Sequence, residues 1–197
     1  MNTPNKLTLG RIIATPLFMA ALMFRFPFHY AVALVLFILA SLTDMLDGKI
    51  ARKRNLVTNF GKFLDPLADK MLTTSAFLAF IFRGIGWQIT WVVFIVLFRE
   101  FAISSVRLVS VSSGGKVIAA NIWGKLKTVT QMIAIIFAIF TKVITDDLGV
   151  EFQFASLSLD GLFYYINSIL LWASAILCII SGIIYLVDAK DCIDPSK

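Results

Sequence analysis

Charge is scarce in this chain: only 15% of its 197 residues are Asp, Glu, Lys or Arg, against about a quarter in an ordinary soluble domain. With 59% hydrophobic residues and a mean hydropathy of +0.87, that shortage argues against a water-soluble domain and for a chain built to sit in lipid. Cysteine is nearly absent. Cys178 lies in an apolar run and Cys192 in the polar tail, so no disulfide framework is expected. The single histidine, His29, stands beside Phe28 and Tyr30 at an apolar boundary, where an interfacial residue is expected in preference to a ligand or base. The opening MNTPNKLTLGRII is polar and weakly basic, and no small-residue cleavage site follows the first apolar run, so no cleavable signal is expected. Internal repeats, low-complexity tracts and a second, soluble domain are also missing, which leaves one membrane domain over residues 1–197.

What the chain does have is long apolar runs. Six can be marked, at roughly 7–24, 30–50, 59–82, 87–109, 119–143 and 162–187, each about long enough to cross a bilayer. Backbone groups in lipid must be satisfied within the segment, so the expected fold class is all-α: a polytopic membrane protein with six transmembrane helices in one bundle. Lysine and arginine set its orientation. With the N-terminus in the cytoplasm, fourteen of the 18 fall on that side, while Arg25, Arg83 and Lys142 fall on the other and Arg99 within the fourth run. The acids Asp146, Asp147, Glu151 and Asp160 gather on the far side. By the positive-inside rule both termini are then cytoplasmic. The net charge of +6 reads as topology and attraction to anionic lipid or phosphate, with nucleic acid excluded as a partner.

Against this background the stretch LTDMLDGKIARKRNLVTNFGKFLDPLADK (42–70) is anomalous, because it carries four aspartates. Ionised carboxylates are costly in apolar surroundings unless something pairs them. Asp44 and Asp47 stand at i,i+3, with Gly48 and Ala51 on the same helical face. Gly61, Asp65 and Asp69 follow at i,i+4,i+8 on the next helix. The link near 53–58 is short, so the two helices are expected to be antiparallel neighbours with their acidic faces meeting near the cytoplasmic surface. Four converging carboxylates repel strongly at low effective dielectric. Two divalent cations relieve that repulsion, and an oxygen-only set favours Mg2+ or Mn2+. The competing reading is a solvated loop in which Arg52, Lys53, Arg54, Lys62 and Lys70 pair with the acids. Gly48 and Ala51 either admit a ligand close to the backbone or simply pack helices closely.

A second polar group lies further along. Arg99 falls inside the fourth run, Arg107 two turns later, and Lys125 and Lys127 enter the fifth run from the cytoplasmic side. Together these four form a candidate pocket for a phosphate dianion. The alternatives are headgroup snorkelling by the lysines and pairing of Arg99 with Glu100.

Asp44, Asp47, Gly48, Ala51, Arg52, Gly61, Asp65 and Asp69 spell D-x-x-D-G-x-x-A-R-x8-G-x-x-x-D-x-x-x-D. This pattern resembles the signature of the CDP-alcohol phosphotransferase family at every fixed position. The resemblance implies a six-helix membrane enzyme in which Asp44, Asp47, Asp65 and Asp69 hold two divalent cations and Asp69 is also the general base. It further implies a CDP-diacylglycerol site drawing on Gly48, Ala51, Arg52, Thr58 and Gly61. The opening NKLTLGR, with Asn5, Thr8 and Arg11, is similar to that of the bacterial branch that makes phosphatidylglycerophosphate, where it belongs to the CDP site. REFAISSVR (99–107) and WGKLKTVTQ (123–131) look like the same branch. Its members imply sn-glycerol 3-phosphate as acceptor at Arg99, Arg107, Lys125 and Lys127, and a homodimer. Two other readings stay open. One is a sister enzyme whose acceptor is serine, inositol phosphate or phosphatidylglycerol. The other is a divalent-cation or proton-coupled transporter, although transporters place ionisable groups near the midplane in repeated halves.

Overall fold

A computed structural model describes the backbone of residues 3–53, 59–112, 122–151, 153–154 and 157–189, and side chains at 7–44, 64, 67–107, 122–151 and 158–189. Among these residues six α-helices make up the bundle: α1 Thr3–Met23, α2 His29–Lys53, α3 Asn59–Arg83, α4 Ile89–Ser112, α5 Ile122–Lys142 and α6 Leu159–Asp188. Each falls on one of the six apolar runs. Three are long and apolar enough to cross a membrane, through Ile89–Arg107, Ile122–Asp147 and Leu159–Asp188. The apolar parts of α1 and α2 are shorter, Leu7–Met23 and His29–Asp44. In α3 the first half is interrupted by Lys62, Asp65, Asp69 and Lys70. The structure thus gives an all-helical membrane bundle with three spans by length and composition among the described residues.

The described turns end their helices abruptly. After α3 the chain turns through Gly84 and Gly86, at φ of 65° and 96°. A Cβ on Gly86 would also sit 2.7 Å from Leu171 Cδ1, so this turn needs glycine for both conformation and space. α5 runs on into a π-turn, Val143–Asp147, which delivers Asp147 to the start of α2. There its Oδ2 accepts the backbone N–H of Ala31 at 2.7 Å, satisfying an N-terminal donor of α2. Arg83 does the converse for α1, donating to the carbonyls of Leu22 and Met23 at 2.7 and 3.3 Å. The long connection before α6 contains the only strands among the described residues. It is an antiparallel pair, Gln153–Phe154 with Leu157–Ser158, and Ser158 then caps α6 by accepting from Gly161 N at 3.2 Å.

Packing corrects one expectation. α2 and α3 are adjacent in sequence, yet among the described residues they touch only slightly; α1 packs extensively against both and lies between them. α6 packs in the same way against α4 and α5, and α2–α5 and α3–α4 contacts join the two trios. The short link fixes only where the two helices meet. The buried face of α1, with Thr8, Arg11, Thr15, Phe18 and Leu22, fills the space between them.

The core combines aromatic filling with small-residue seams. Phe18 and Phe37 meet at 5.3 Å between ring centroids, while Ala33, Ala76, Ala134, Ala138 and Ala175 are completely buried and let backbones approach closely. Large apolar side chains also cover the outside, among them Ile13, Trp91, Phe98 and Ile169. Such an exterior suits lipid and would be a liability in water. His29 stands at the start of α2, buried, with its ring 4.1 Å from that of Tyr30.

These contrasts give an expected outcome. Ala138→Phe overfills a seam with no free space and should lose about 1–3 kcal/mol of stability. Ile169→Ala, on the outward face, should change stability by about 0.5 kcal/mol or less. Apparent melting midpoints in detergent check the pair, and equal shifts would contradict this assignment of inside and outside.

Candidate active site

Because the helices alternate in direction, one end of the bundle gathers the C-terminal halves of α2, α4 and α6 and the N-terminal halves of α1, α3 and α5. A cavity of about 770 Å³ opens at that end. α2 contributes Asp44 to its wall and α3 contributes Asp69 and Lys70. From α4 come Arg99, Glu100, Ser104 and Arg107, from α5 Gly124, Lys125 and Lys127, and from α6 Ser181 and Tyr185. Five helices therefore direct ionisable or polar groups to one space inside an otherwise apolar molecule.

The charges are set against one another. The guanidinium of Arg11, whose side chain is fully buried, donates through Nη1 to Asp44 Oδ1. Glu100 is the centre of a larger cluster. Its Oε1 accepts Lys127 Nζ and, at 3.3 Å, Arg99 Nη1, while Lys70 Nζ lies 3.8 Å from Oε2. Lys70 also donates to Ser104 Oγ, and Ser104 in turn donates to the Glu100 carbonyl at 2.7 Å. Arg99 reaches across to α6 and donates through Nη2 to Ser181 Oγ at 2.7 Å. Its stem crosses α6 at Gly182, where an added Cβ would stand 3.0 Å from Arg99 Cγ. Arg107 lies with its guanidinium carbon 6.0 Å from the centre of the Tyr185 ring, within cation–π range.

Of the residues singled out in the sequence, Asp44, Asp69, Arg99, Arg107, Lys125 and Lys127 line this one cavity. Thr8 and Arg11 are nearly completely buried and do not line it, although Arg11 reaches Asp44. Asp47, Gly48, Ala51 and Arg52 have helical backbone in α2, as Gly61 and Asp65 have in α3, but their side chains lie outside the described residues. The same holds for the side chain of Asn5 in α1, and Thr58 lies wholly outside them. Among the described residues no three His, Cys, Asp or Glu side chains form a metal-ligating group. Asp44 and Asp69 nonetheless bring two carboxylates to one wall with no imidazole or thiol beside them, a donor chemistry that fits a hard divalent cation.

Residues 1–180 match the CDP-alcohol phosphatidyltransferase family. The chain belongs to that family. Among its relatives is the CDP-diacylglycerol–glycerol-3-phosphate 3-phosphatidyltransferase of Bacillus subtilis, 39% identical over 193 residues, covering 92% of this chain and 91% of the relative. A protein of the same name from Rickettsia bellii is 34% identical over 193 residues, covering 96% of each chain. A rice cardiolipin synthase (CMP-forming) is 31% identical over 189 residues, covering 86% of this chain and 57% of the relative.

For a CDP-alcohol phosphatidyltransferase the cavity holds more than the motif announces. Glu100, Lys70, Ser104, Ser181 and Tyr185 were not singled out as site residues. Glu100 stood out only as a neighbour for Arg99, although a charged pair inside an apolar run marks a functional position in its own right. Ser181 and Tyr185 carry no sequence signal, because an isolated Ser or Tyr in an apolar helix is unremarkable.

The passage of Arg99 over Gly182 is testable. Gly182→Leu should force Arg99 off Ser181 and lower the apparent melting midpoint. Gly10→Ala, where an added Cβ meets nothing within 4 Å, should leave it unchanged or raise it slightly. Matching midpoints for Gly182→Leu and wild type would contradict the close approach.

Proposed function

We propose that this chain transfers the phosphatidyl group from CDP-diacylglycerol to sn-glycerol 3-phosphate, giving phosphatidylglycerophosphate and CMP. The observation that carries the reading is the joining of two motif aspartates, Asp44 and Asp69, with Arg99, Arg107, Lys125 and Lys127 in one cavity. The names of the Bacillus and Rickettsia relatives support the same reaction. The rice relative, named for cardiolipin synthesis, keeps a different acceptor as the second reading. Arg107 and Lys125, which have no carboxylate partner among the described residues, favour an acceptor that carries its own phosphate dianion. Family membership sets the transporter reading aside.

In this reading Asp69, exposed to the cavity, accepts the proton of the acceptor's 1-hydroxyl as that oxygen attacks the phosphorus bonded to diacylglycerol. The bond from that phosphorus to the CMP oxygen breaks, and CMP leaves with the electron pair. The displacement is direct. The cavity's Ser104 and Ser181 hydroxyls are engaged by Lys70, Arg99 and the Glu100 carbonyl, and no serine beside the acids is free to serve as a nucleophile among the described residues. Asp44, Asp47, Asp65 and Asp69 would hold two divalent cations, Mg2+ or Mn2+, which supply the positive charge needed by the diphosphate and the departing nucleotide. Asn5, Thr8, Arg11, Gly48, Ala51, Arg52, Thr58 and Gly61 would serve CDP-diacylglycerol. Arg11 would do so indirectly, by fixing Asp44.

The chain would form one membrane domain over residues 1–197, crossing a bacterial cytoplasmic membrane six times. Both termini and the cavity would face the cytoplasm, where the soluble acceptor arrives, and the active form would be a homodimer. Supporting this topology, the cavity opens at the end of the bundle that carries most of the lysine and arginine.

Asp69→Asn should leave a folded membrane protein with CMP release reduced at least about a thousandfold, since the base and a cation ligand are lost together. Wild-type activity should vanish in excess chelator and return with Mg2+ or Mn2+. Near-normal turnover by purified Asp69→Asn protein, or full turnover in metal-free buffer, would overturn the assignment.

A further inference from the structure

Glu100 has no part in the reaction as written, yet it is the point on which the cavity's inner cations converge. It is about four-fifths buried, and three cations from three helices converge on it: Lys70 of α3, Arg99 of α4 and Lys127 of α5. Lys127 is itself almost fully buried and has Glu100 as its one carboxylate partner among the described residues. Placed this close without an intervening anion, the three cations would repel one another and swing towards water. With Glu100 they form a fixed array whose formal charge is +2, matching the roughly −1.5 to −2 of a phosphate monoester near neutral pH. Arg107 and Lys125 differ: both are exposed and neither has a carboxylate partner among the described residues. They are free to meet the phosphate, whereas Arg99 and Lys127 are pre-set by Glu100.

We propose that Glu100 is the positioning residue for the acceptor: a buried counter-ion that holds Lys127, Arg99 and Lys70 as a rigid array facing the acceptor's phosphate, without touching substrate itself. The proposal rests on the reading that the cavity takes a phosphorylated acceptor, and it assigns a residue outside the family motif. Its consequence is selective. Loss of the carboxylate loosens phosphate binding while the aspartates and the nucleotide side stay in place.

The test is a set of saturation curves for CMP release by the full-length protein in detergent with CDP-diacylglycerol and glycerol 3-phosphate. Glu100→Gln should raise the KM for glycerol 3-phosphate about tenfold or more and leave that for CDP-diacylglycerol within about twofold. Glu100→Asp, which keeps the charge on a shorter arm, should recover part of the loss, and it serves as the deciding variant if Glu100→Gln does not fold. Because Glu100 acts through Lys127, adding Glu100→Gln to Lys127→Met should cost less than about twofold beyond Lys127→Met alone. An unchanged or lower acceptor KM would overturn the proposal. So would fully additive losses, or a joint fall in both substrates' kinetics and the melting midpoint, which marks a merely structural ion pair. If wild-type protein releases no CMP with glycerol 3-phosphate, the parent reading fails and takes this inference with it.

Discussion

The site depends on one constraint: a charge inside an apolar bundle has to be met by another of opposite sign. Arg11 is fully buried in α1 and ends on Asp44 of α2. Lys70, Arg99 and Lys127 come from three helices and end on Glu100. These pairings tie helices together at the end of the molecule where apolar contact gives way to a cavity, so the same interactions shape the site and hold its walls. Buried ion pairs are weak evidence for net stability, since desolvation offsets much of their attraction. What they do supply is a fixed geometry for the groups that must meet a diphosphate and a phosphate.

The two ends of the bundle are built differently in consequence. At the end away from the cavity, polar groups finish helices: Arg83 closes the last carbonyls of α1, and Asp147 caps the start of α2. Trp172 donates through Nε1 to the Trp87 carbonyl at 3.0 Å, joining α6 to the α3–α4 turn. These bonds satisfy backbone groups, beside a second cavity of about 480 Å³ lined by Asp146, Glu151 and Asp160. At the cavity end, the cations Arg107 and Lys125 are exposed and without carboxylate partners among the described residues, and Asp69 faces open space. The capped end holds the helices in register; the other end gathers the cations with Asp44 and Asp69.

The positions of the six helices were legible because hydropathy alone marks segments that must satisfy their own backbones. The gathering of Asp44 and Asp69 was legible in part, since helical spacing fixes which residues share a face. That α1 would lie between α2 and α3 was not. Helix order in a bundle is decided by how small-residue seams such as those of Ala33, Ala76 and Ala138 fit together, and spacing within one helix carries no trace of it. Glu100 escaped for a related reason. Its neighbour Arg99 is one partner, but Lys70 lies 30 residues before it and Lys127 lies 27 after it. The π-turn and the small β pair are products of a connection whose residues answer to capping, not to hydropathy.

The central claim is that a phosphorylated acceptor meets the aspartates in the cavity at the basic end of the bundle. The most direct measurement is CMP release from CDP-diacylglycerol by the purified protein with glycerol 3-phosphate, serine, inositol phosphate and phosphatidylglycerol supplied separately. This account predicts rapid release with glycerol 3-phosphate and little with the other three. Preferential turnover with serine or phosphatidylglycerol would contradict it, because the cavity's cations would then face an acceptor of different charge and shape.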